Sequence, residues 1–138
     1  MSKADETLSP NLFLCLILSQ AAHSIEEYCF RLYDVLAPAR FISGLVSNNL
    51  AFGFVVANVV LVSFGLWCYL ARVRKGHASG RGWAWFWTVL EASNGANHLV
   101  LAWSARGYFP GAGTAPLLLG FSLWLGINLS RADERKRL

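Results

Sequence analysis

Charged side chains are scarce in this sequence: Asp, Glu, Lys and Arg make up 14% of its 138 residues, while 55% of the residues are hydrophobic. An average soluble domain has roughly 25% charged residues, so this chain has too few polar side chains to cover a water-exposed surface. Cysteine is also rare. Cys15, Cys29 and Cys68 show no paired spacing and imply no disulfide framework. The scarcity of charge instead predicts an integral membrane protein.

Four long apolar stretches account for this composition. Each can supply the roughly 20 helical residues that cross the hydrocarbon core of a bilayer. The connecting segments are short, and the chain is long enough for a single domain only. We therefore predict an all-α fold, a four-helix transmembrane bundle that forms one domain over residues 1–138. The predicted spans cover about residues 11–33, 48–71, 83–105 and 113–130.

The distribution of basic residues predicts the orientation of these spans. Three of the 12 Lys and Arg residues lie on the first and third loops, and the other nine lie on the N-terminus, the second loop and the C-terminus. The positive-inside rule then places both termini in the cytoplasm, as in a multi-pass protein of the cell membrane. We expect membrane lipids and a lipophilic small molecule as partners, no nucleic acid, and leave a homodimer open. The nine residues are Lys3, Arg72, Arg74, Lys75, Arg81, Arg131, Arg135, Lys136 and Arg137.

The first apolar stretch carries polar side chains on one face. At 100° per residue, Glu26 lies about 60° to one side of His23, and Glu27 lies about 40° to the other. Ser19 and Gln20 fall within the same arc. The first span is therefore predicted to present one polar stripe on an otherwise apolar helix.

The third apolar stretch has a matching polar face. Glu91, Asn94 and His98 are spaced i, i+3, i+7 and lie within about 60° of one another on a helix. With a rise of about 1.5 Å per residue, they reach heights in the membrane that overlap those of His23 and Glu27. We therefore expect the two polar faces to meet across the bundle.

The acidic side chains on these faces need a compensating cation. An ionised side chain inside a bilayer costs at least about 2.5 kcal/mol, and neutral histidines would leave the glutamates uncompensated. Histidine together with carboxylate favours a transition metal ion, here Zn, Fe or Mn. We expect Glu27 and Glu91 to serve in catalysis and Asn94 to orient a substrate. The predicted metal ligands are His23, Glu26, Glu27, Glu91 and His98.

Three motifs in this order are similar to those of a known family. They are HXXEE at residues 23–27, a later intramembrane histidine, His98, and YXPG at residues 108–111. With these three motifs in this order, the chain resembles the HXXEE-domain membrane proteins over about residues 12–128. The resemblance supports the site and names no reaction. Pro fixes φ and Gly supplies a positive φ, so the YXPG segment predicts a type II turn, with Tyr108, Pro110 and Gly111 forming an outer lid over the site.

Several functions are compatible with these residues. A metal-dependent enzyme acting on a lipophilic substrate is the first. A metal-free isomerase or cyclase is the second, because a histidine beside buried glutamates can transfer protons. A small ion- or drug-coupled transporter is the third, because intramembrane acids often mark ion pathways. A purely structural polar network is disfavoured, because interhelical hydrogen bonds average only about 0.6 kcal/mol in membranes.

Overall fold

The computed structural model describes residues 8–137, which form six α-helices and no strand. The all-α prediction is therefore confirmed for this part of the chain, and the four long helices correspond to the four apolar stretches. Among the basic residues counted above, Lys3 and the side chains of residues 135–137 lie outside the described residues. The helices are α1 (Pro10–Cys29), α2 (Leu32–Val35), α3 (Ala37–Val46), α4 (Leu50–Cys68), α5 (Gly80–Ser104) and α6 (Ala115–Arg137), and α4 continues into a π-helical turn, Tyr69–Val73.

Local sequence explains where two of the long helices begin. The side chain of Ser9 accepts a hydrogen bond from the amide nitrogen of Leu12 at 3.3 Å, and Pro10 occupies the first turn of α1, where a missing N–H costs nothing. Asn49 caps α4 in the same way, accepting from the amide nitrogen of Phe52 at 3.1 Å. These caps fix the first residues of α1 and α4, the two helices that border the site.

The main apolar core lies in the half of the bundle that contains the start of α1. Here Phe13 and Ile17 of α1 pack with Trp87 of α5 and Leu125 of α6. The polar residues of α1 follow this core along the helix, and a second apolar cluster of Leu32, Tyr33 and Phe54 lies beyond them. The polar residues of α1 therefore lie between two apolar clusters.

Helix α5 packs closely against α6 because of a glycine. A Cβ on Gly95 would lie 2.9 Å from the carbonyl oxygen of Ala115. Any larger residue would push the two helices apart, so Gly95 holds the start of α6 against the middle of α5. This contact brings the loop between α5 and α6 over the polar layer.

A short helix lies in the loop of residues 34–47. It consists of α3, which packs against α4, and it follows the single turn α2. The outward side of α3 carries exposed apolar side chains, among them Phe41 and Leu45. Such a surface suits the boundary between lipid and water.

One helix in the described part of the chain is long and apolar enough by itself to cross a membrane, the segment Leu50–Val73. Only 17% of its most apolar 18 residues are buried, whereas the core helix of a soluble protein is mostly buried. The other three long helices also expose large apolar side chains. Examples are Ile25 on α1, Val89 and Val100 on α5, and Leu123 and Trp124 on α6.

Candidate metal centre

Three side chains from two helices converge in the polar layer. His23 and Glu27 are one turn apart on α1, and His98 faces them from α5. Glu27 Oε1 lies 3.2 Å from His23 Nε2 and 3.0 Å from His98 Nε2. All three side chains are buried, and their ligand atoms lie within 4.8 Å of one another. The prediction that the polar faces of the first and third spans meet is therefore confirmed for these three residues.

The hydrogen bond made by His98 Nδ1 determines which ring nitrogen carries the hydrogen of the neutral imidazole. Nδ1 lies 2.7 Å from the carbonyl oxygen of Pro110, which can only accept a hydrogen bond. Nδ1 therefore donates, and the neutral imidazole has its lone pair on Nε2, facing Glu27. A histidine that binds a metal is commonly oriented in this way, by donating its other N–H to a carbonyl group.

His23 is oriented by Thr114 with the same result. The Thr114 hydroxyl donates to Glu26 Oε2 at 2.5 Å, so its oxygen accepts from His23 Nδ1, 2.7 Å away. The lone pair of His23 therefore also lies on Nε2. This atom is buried and makes no hydrogen bond within the described part of the chain.

When both histidines are neutral, three electron-pair donors consequently point at one another without a hydrogen between them. Two neutral imidazole nitrogens and one carboxylate oxygen would repel at these distances, and burial prevents water from screening them. Two ligands at metal distances of about 2.1 Å in a tetrahedral arrangement would lie about 3.4 Å apart. The separations of 3.0 and 3.2 Å around Glu27 Oε1 are close to that value. The three side chains can therefore hold a small cation.

Glu26 turns away from the cluster and anchors the loop between α5 and α6. Its carboxylate accepts hydrogen bonds from the amide nitrogen of Gly113 at 2.9 Å and from that of Thr114 at 2.7 Å. The hydroxyls of Thr114 and Tyr108 donate to it as well. Because these amides immediately precede α6, the carboxylate also lies at a helix N-terminus, where negative charge is favoured.

Tyr108 is the residue of the predicted lid whose hydroxyl contacts Glu26. Tyr108 lies in the loop between α5 and α6, and burial of its hydroxyl, together with the hydrogen bond to the Glu26 carboxylate, raises its pKa from 10.0 to about 12. The phenol therefore stays protonated through the whole neutral range and holds the loop on α1 as a hydrogen-bond donor.

Pro110 and Gly111 form the predicted turn directly against the histidines. The amide nitrogen of Ala112 donates to the carbonyl oxygen of Phe109 at 2.9 Å, and Gly111 has φ of 90°, as position i+2 of a type II turn requires. A Cβ on Gly111 would lie 2.6 Å from His98 Nδ1 and 2.7 Å from His23 Cε1. Glycine is therefore needed for the backbone angle and for the close approach to both rings.

Glu91 and Asn94 lie beside the cluster and contact Gln20 of α1. The amide of Gln20 has two orientations that differ by a half turn. With its nitrogen toward Glu91, that nitrogen lies 2.6 Å from Glu91 Oε2. In the other orientation, Gln20 Oε1 accepts from Asn94 Nδ2 at 3.3 Å. Either way, Gln20 links α1 to the polar face of α5.

The structure thus brings together three of the five ligands predicted from the sequence. Glu26 and Glu91 are not members of the group whose ligand atoms are mutually close. Sequence analysis missed Thr114, which orients His23 and holds Glu26. Its position at the end of a Gly-rich turn, immediately before α6, is a signal typical of a helix cap, and that signal does not reveal a partner 91 residues away.

A cavity of about 350 Å³ reaches the cluster from the side of α3 and α4. Glu27 and His98 line its inner end, and Gln20, Asn94 and Asn97 add amide groups. The remaining lining residues are mostly apolar: Leu32, Leu36, Ala39, Ile42, Ser43, Phe54, Ala57, Asn58 and Leu61. A molecule in this cavity would contact two of the three ligands.

These features define an all-α bundle with a buried two-histidine, one-carboxylate centre beside a mostly apolar cavity. The chain belongs to the family described as protein of unknown function with HXXEE motif, which matches residues 14–125. His23, Glu26 and Glu27, the named residues of the HXXEE motif, all occupy the site described above. No curated protein and no solved structure matches the chain.

Proposed function

We propose that this protein is a metal-dependent membrane enzyme whose metal ion is held by His23, Glu27 and His98. The observation that carries the proposal is the convergence of three buried electron-pair donors. A single proton on one histidine would satisfy one contact with Glu27 and leave the other unsatisfied. One divalent cation satisfies all three donors at once.

The ligand set favours catalysis over a structural role for the metal. Structural zinc sites are closed by four protein ligands, whereas catalytic zinc sites with two histidines and a glutamate keep one position for water or substrate. The same set with open positions is typical of non-haem Fe(II) enzymes. When bound, the ion would supply a Lewis acid or a redox centre.

The surface of the bundle supports insertion in a membrane through four spans. Large apolar side chains are exposed on all four long helices, which a lipid environment would cover. Arg81 at the start of α5 forms an ion pair of 2.5 Å with Asp133 of α6. The second loop and the end of α6 therefore lie at the same end of the bundle, as four spans with both termini in the cytoplasm require.

The cavity supports a lipophilic substrate. Its lining is mostly apolar, and Glu27 and His98 form its inner end. Asn94 lines the cavity and would orient the polar part of the substrate, while Glu91 would act through Gln20, which also lines it. The loop with Tyr108, Pro110 and Gly111 would hold both histidines in position and close the outer end of the site.

A metal-free acid–base enzyme is the second candidate. If both histidines carried a second proton, each would donate to Glu27, and the same short contacts would be satisfied. The two histidinium ions would then be the proton donors for an isomerase or cyclase. The two candidates differ in whether purified protein contains a metal.

Elemental analysis of detergent-purified protein tests the proposal. Protein prepared without chelators should contain about one transition metal ion per chain, as expected for one three-ligand site. His23→Ala and His98→Ala should lose the metal. His77→Ala is the matched control, because His77 is exposed in the second loop, and it should keep the metal. If wild type contains no stoichiometric metal and both site variants keep wild-type helix content, the metal proposal is wrong and the acid–base candidate replaces it.

A further inference from the structure

Helices α4 and α5 are packed by aromatic rings in one half of the bundle, and a cavity lies between them in the other. In the first half the ring of Phe64 packs against those of Trp83 and Trp87, with centroid distances of 5.3 and 6.0 Å. Nearer to α3, the two helices line the cavity beside the candidate metal centre, and Ala57 of α4 and Asn97 of α5 belong to this lining. Small and polar side chains therefore replace the aromatic packing at the height of the cavity.

The cavity opens at the surface of the bundle. Ile42 of α3 and Asn97 of α5 line it and are exposed, Ile42 by 51%. Glu27 and His98 line it as well and are buried. The cavity therefore leads from an opening at Ile42, Ala57 and Asn97 to two of the three residues of the candidate centre.

This opening lies at the border of the lipid-facing surface of α5. On a helix, Val100 lies about 60° to one side of Asn97, and Asn94 lies about 60° to the other. Val100 is apolar and 60% exposed, whereas Asn94 lines the cavity. Asn97 is about 10 Å along the helix axis from Ser104, the last residue of α5, so it lies within the proposed span.

The side chain of Asn97 makes no hydrogen bond within the described part of the chain. Its amide offers both donors and acceptors, and an unpaired polar group is unfavourable in lipid. Asn94, deeper in the cavity, is within 3.3 Å of Gln20. A molecule that enters from the bilayer would therefore meet the unpaired amide of Asn97 first, and the candidate ligands Glu27 and His98 further in.

We infer that the site takes a lipid-like substrate directly from the bilayer through this opening, and that Asn97 is the specificity-determining residue that hydrogen-bonds its polar group there. The hydrocarbon part of the substrate extends from the opening along the apolar surface of α5. The inference deepens the proposed function and rests on it for the reaction, whereas binding at the opening depends on the cavity and on Asn97.

Photolabelling tests the inference. The probe is hexadecanol with a diazirine close to its hydroxyl group, added to purified protein in phosphatidylcholine vesicles, and labelled residues are mapped by mass spectrometry. The label should appear around the opening, within 54–61 and 94–101. Unlabelled hexadecanol should compete with the probe, whereas hexadecane, which lacks the hydroxyl group, should not.

Three variants separate the role of Asn97 from the general exposure of α5. Asn97→Leu should reduce labelling by about fivefold, as expected for the loss of one hydrogen bond, and Asn97→Gln, which keeps the amide, should restore most of it. Ser93→Leu is the matched control, because Ser93 is an exposed polar residue of α5 that does not line the cavity. It should label like wild type. Unchanged labelling in Asn97→Leu, or equal competition by hexadecane and hexadecanol, would overturn the inference.

Analytical ultracentrifugation of the same proteins in detergent tests whether a second copy of the chain pairs with Asn97 instead. The inference expects wild type and Asn97→Leu to have the same oligomeric state. A wild-type dimer that Asn97→Leu dissociates would overturn it and assign Asn97 to contact between two copies.

Metal content measured on these samples separates the inference from the proposed function. Asn97 is not a candidate ligand, so Asn97→Leu should contain as much metal as wild type. If labelling depends on Asn97 and no protein contains metal, the opening stands and the metal proposal fails. If the metal is present and labelling is independent of Asn97, the metal proposal stands and the inference is wrong.

Discussion

His98 Nδ1 donates a hydrogen bond of 2.7 Å to the carbonyl oxygen of Pro110, and this bond joins the later histidine to the YXPG segment. Tyr108, at the other end of the YXPG segment, donates to Glu26 of the HXXEE segment. Gly111 lies between these contacts and against both imidazole rings. The motifs therefore work as one unit, in which a loop orients the histidines of two helices.

We predict that Gly111→Ala disrupts the centre. A methyl group there would lie 2.6 Å from His98 Nδ1, and the residue would have to keep φ of 90°. The strain should cost about 1–3 kcal/mol or displace the loop. Metal affinity measured by chelator competition should fall while helix content by circular dichroism is retained.

Gly107→Ala is the matched control for this prediction, because it lies in the same loop and its Cβ would have its nearest neighbour at 3.9 Å. It should bind metal like wild type. Equal metal affinities of the two variants would show that the loop does not orient the histidines.

Glu26→Gln and Glu27→Gln should differ, although the two residues are adjacent. Glu27 supplies a ligand oxygen, so its loss should remove metal binding. Glu26 acts through Thr114 and the loop, and its loss should weaken metal affinity by about 10–100-fold, as for other groups that orient ligands. Competition titrations of both variants against one chelator measure the difference. Equal losses would contradict the separate roles.

The pKa of Tyr108 is a solution test of the contact with Glu26. Tyrosinate absorbance of wild type minus Tyr108→Phe should titrate at about 12. Because folding raises this pKa, the protonated Tyr108 stabilises the folded state fully below a pH of about 10. This contribution to stability is lost as the pH rises through the pKa of the folded state. In Glu26→Gln the pKa should move down toward 10.0, because the carboxylate charge is gone. An unchanged pKa in Glu26→Gln would show that the contact is absent.

Helical periodicity was sufficient to predict the meeting of the two polar faces. His23 and Glu27 are one turn apart, and His98 lies on the polar side of α5, so spacing alone placed these side chains on facing surfaces. The apolar stretches likewise predicted the four long helices. These inferences succeed because they depend on local geometry along a single helix.

The separate roles of Glu26 and Glu27 could not be predicted in this way. Both carboxylates lie close to the stripe, and which one meets a histidine depends on the loop between α5 and α6. Thr114 and the amide of Gly113 draw Glu26 away from the cluster. Such contacts join residues far apart in the chain, and periodicity carries no information about them.

The proposed topology predicts which loops share a side of the membrane. Single cysteines at Lys75 and Arg131, in a background without Cys15, Cys29 and Cys68, should react with a membrane-impermeant thiol reagent from the cytoplasmic side only. A cysteine at Arg40 should react from the opposite side. Labelling of Lys75→Cys and Arg131→Cys from opposite sides would exclude four spans with both termini in the cytoplasm.

The central claim is that His23, Glu27 and His98 bind one metal ion. X-ray absorption spectroscopy of the metal-containing protein measures it most directly, because the scattering of imidazole rings reports how many histidines are ligands. We predict the signature of two imidazoles in wild type and in His77→Ala. His98→Ala should show no bound metal. Absence of metal from wild type, or an imidazole count that His98→Ala leaves unchanged, would contradict the account.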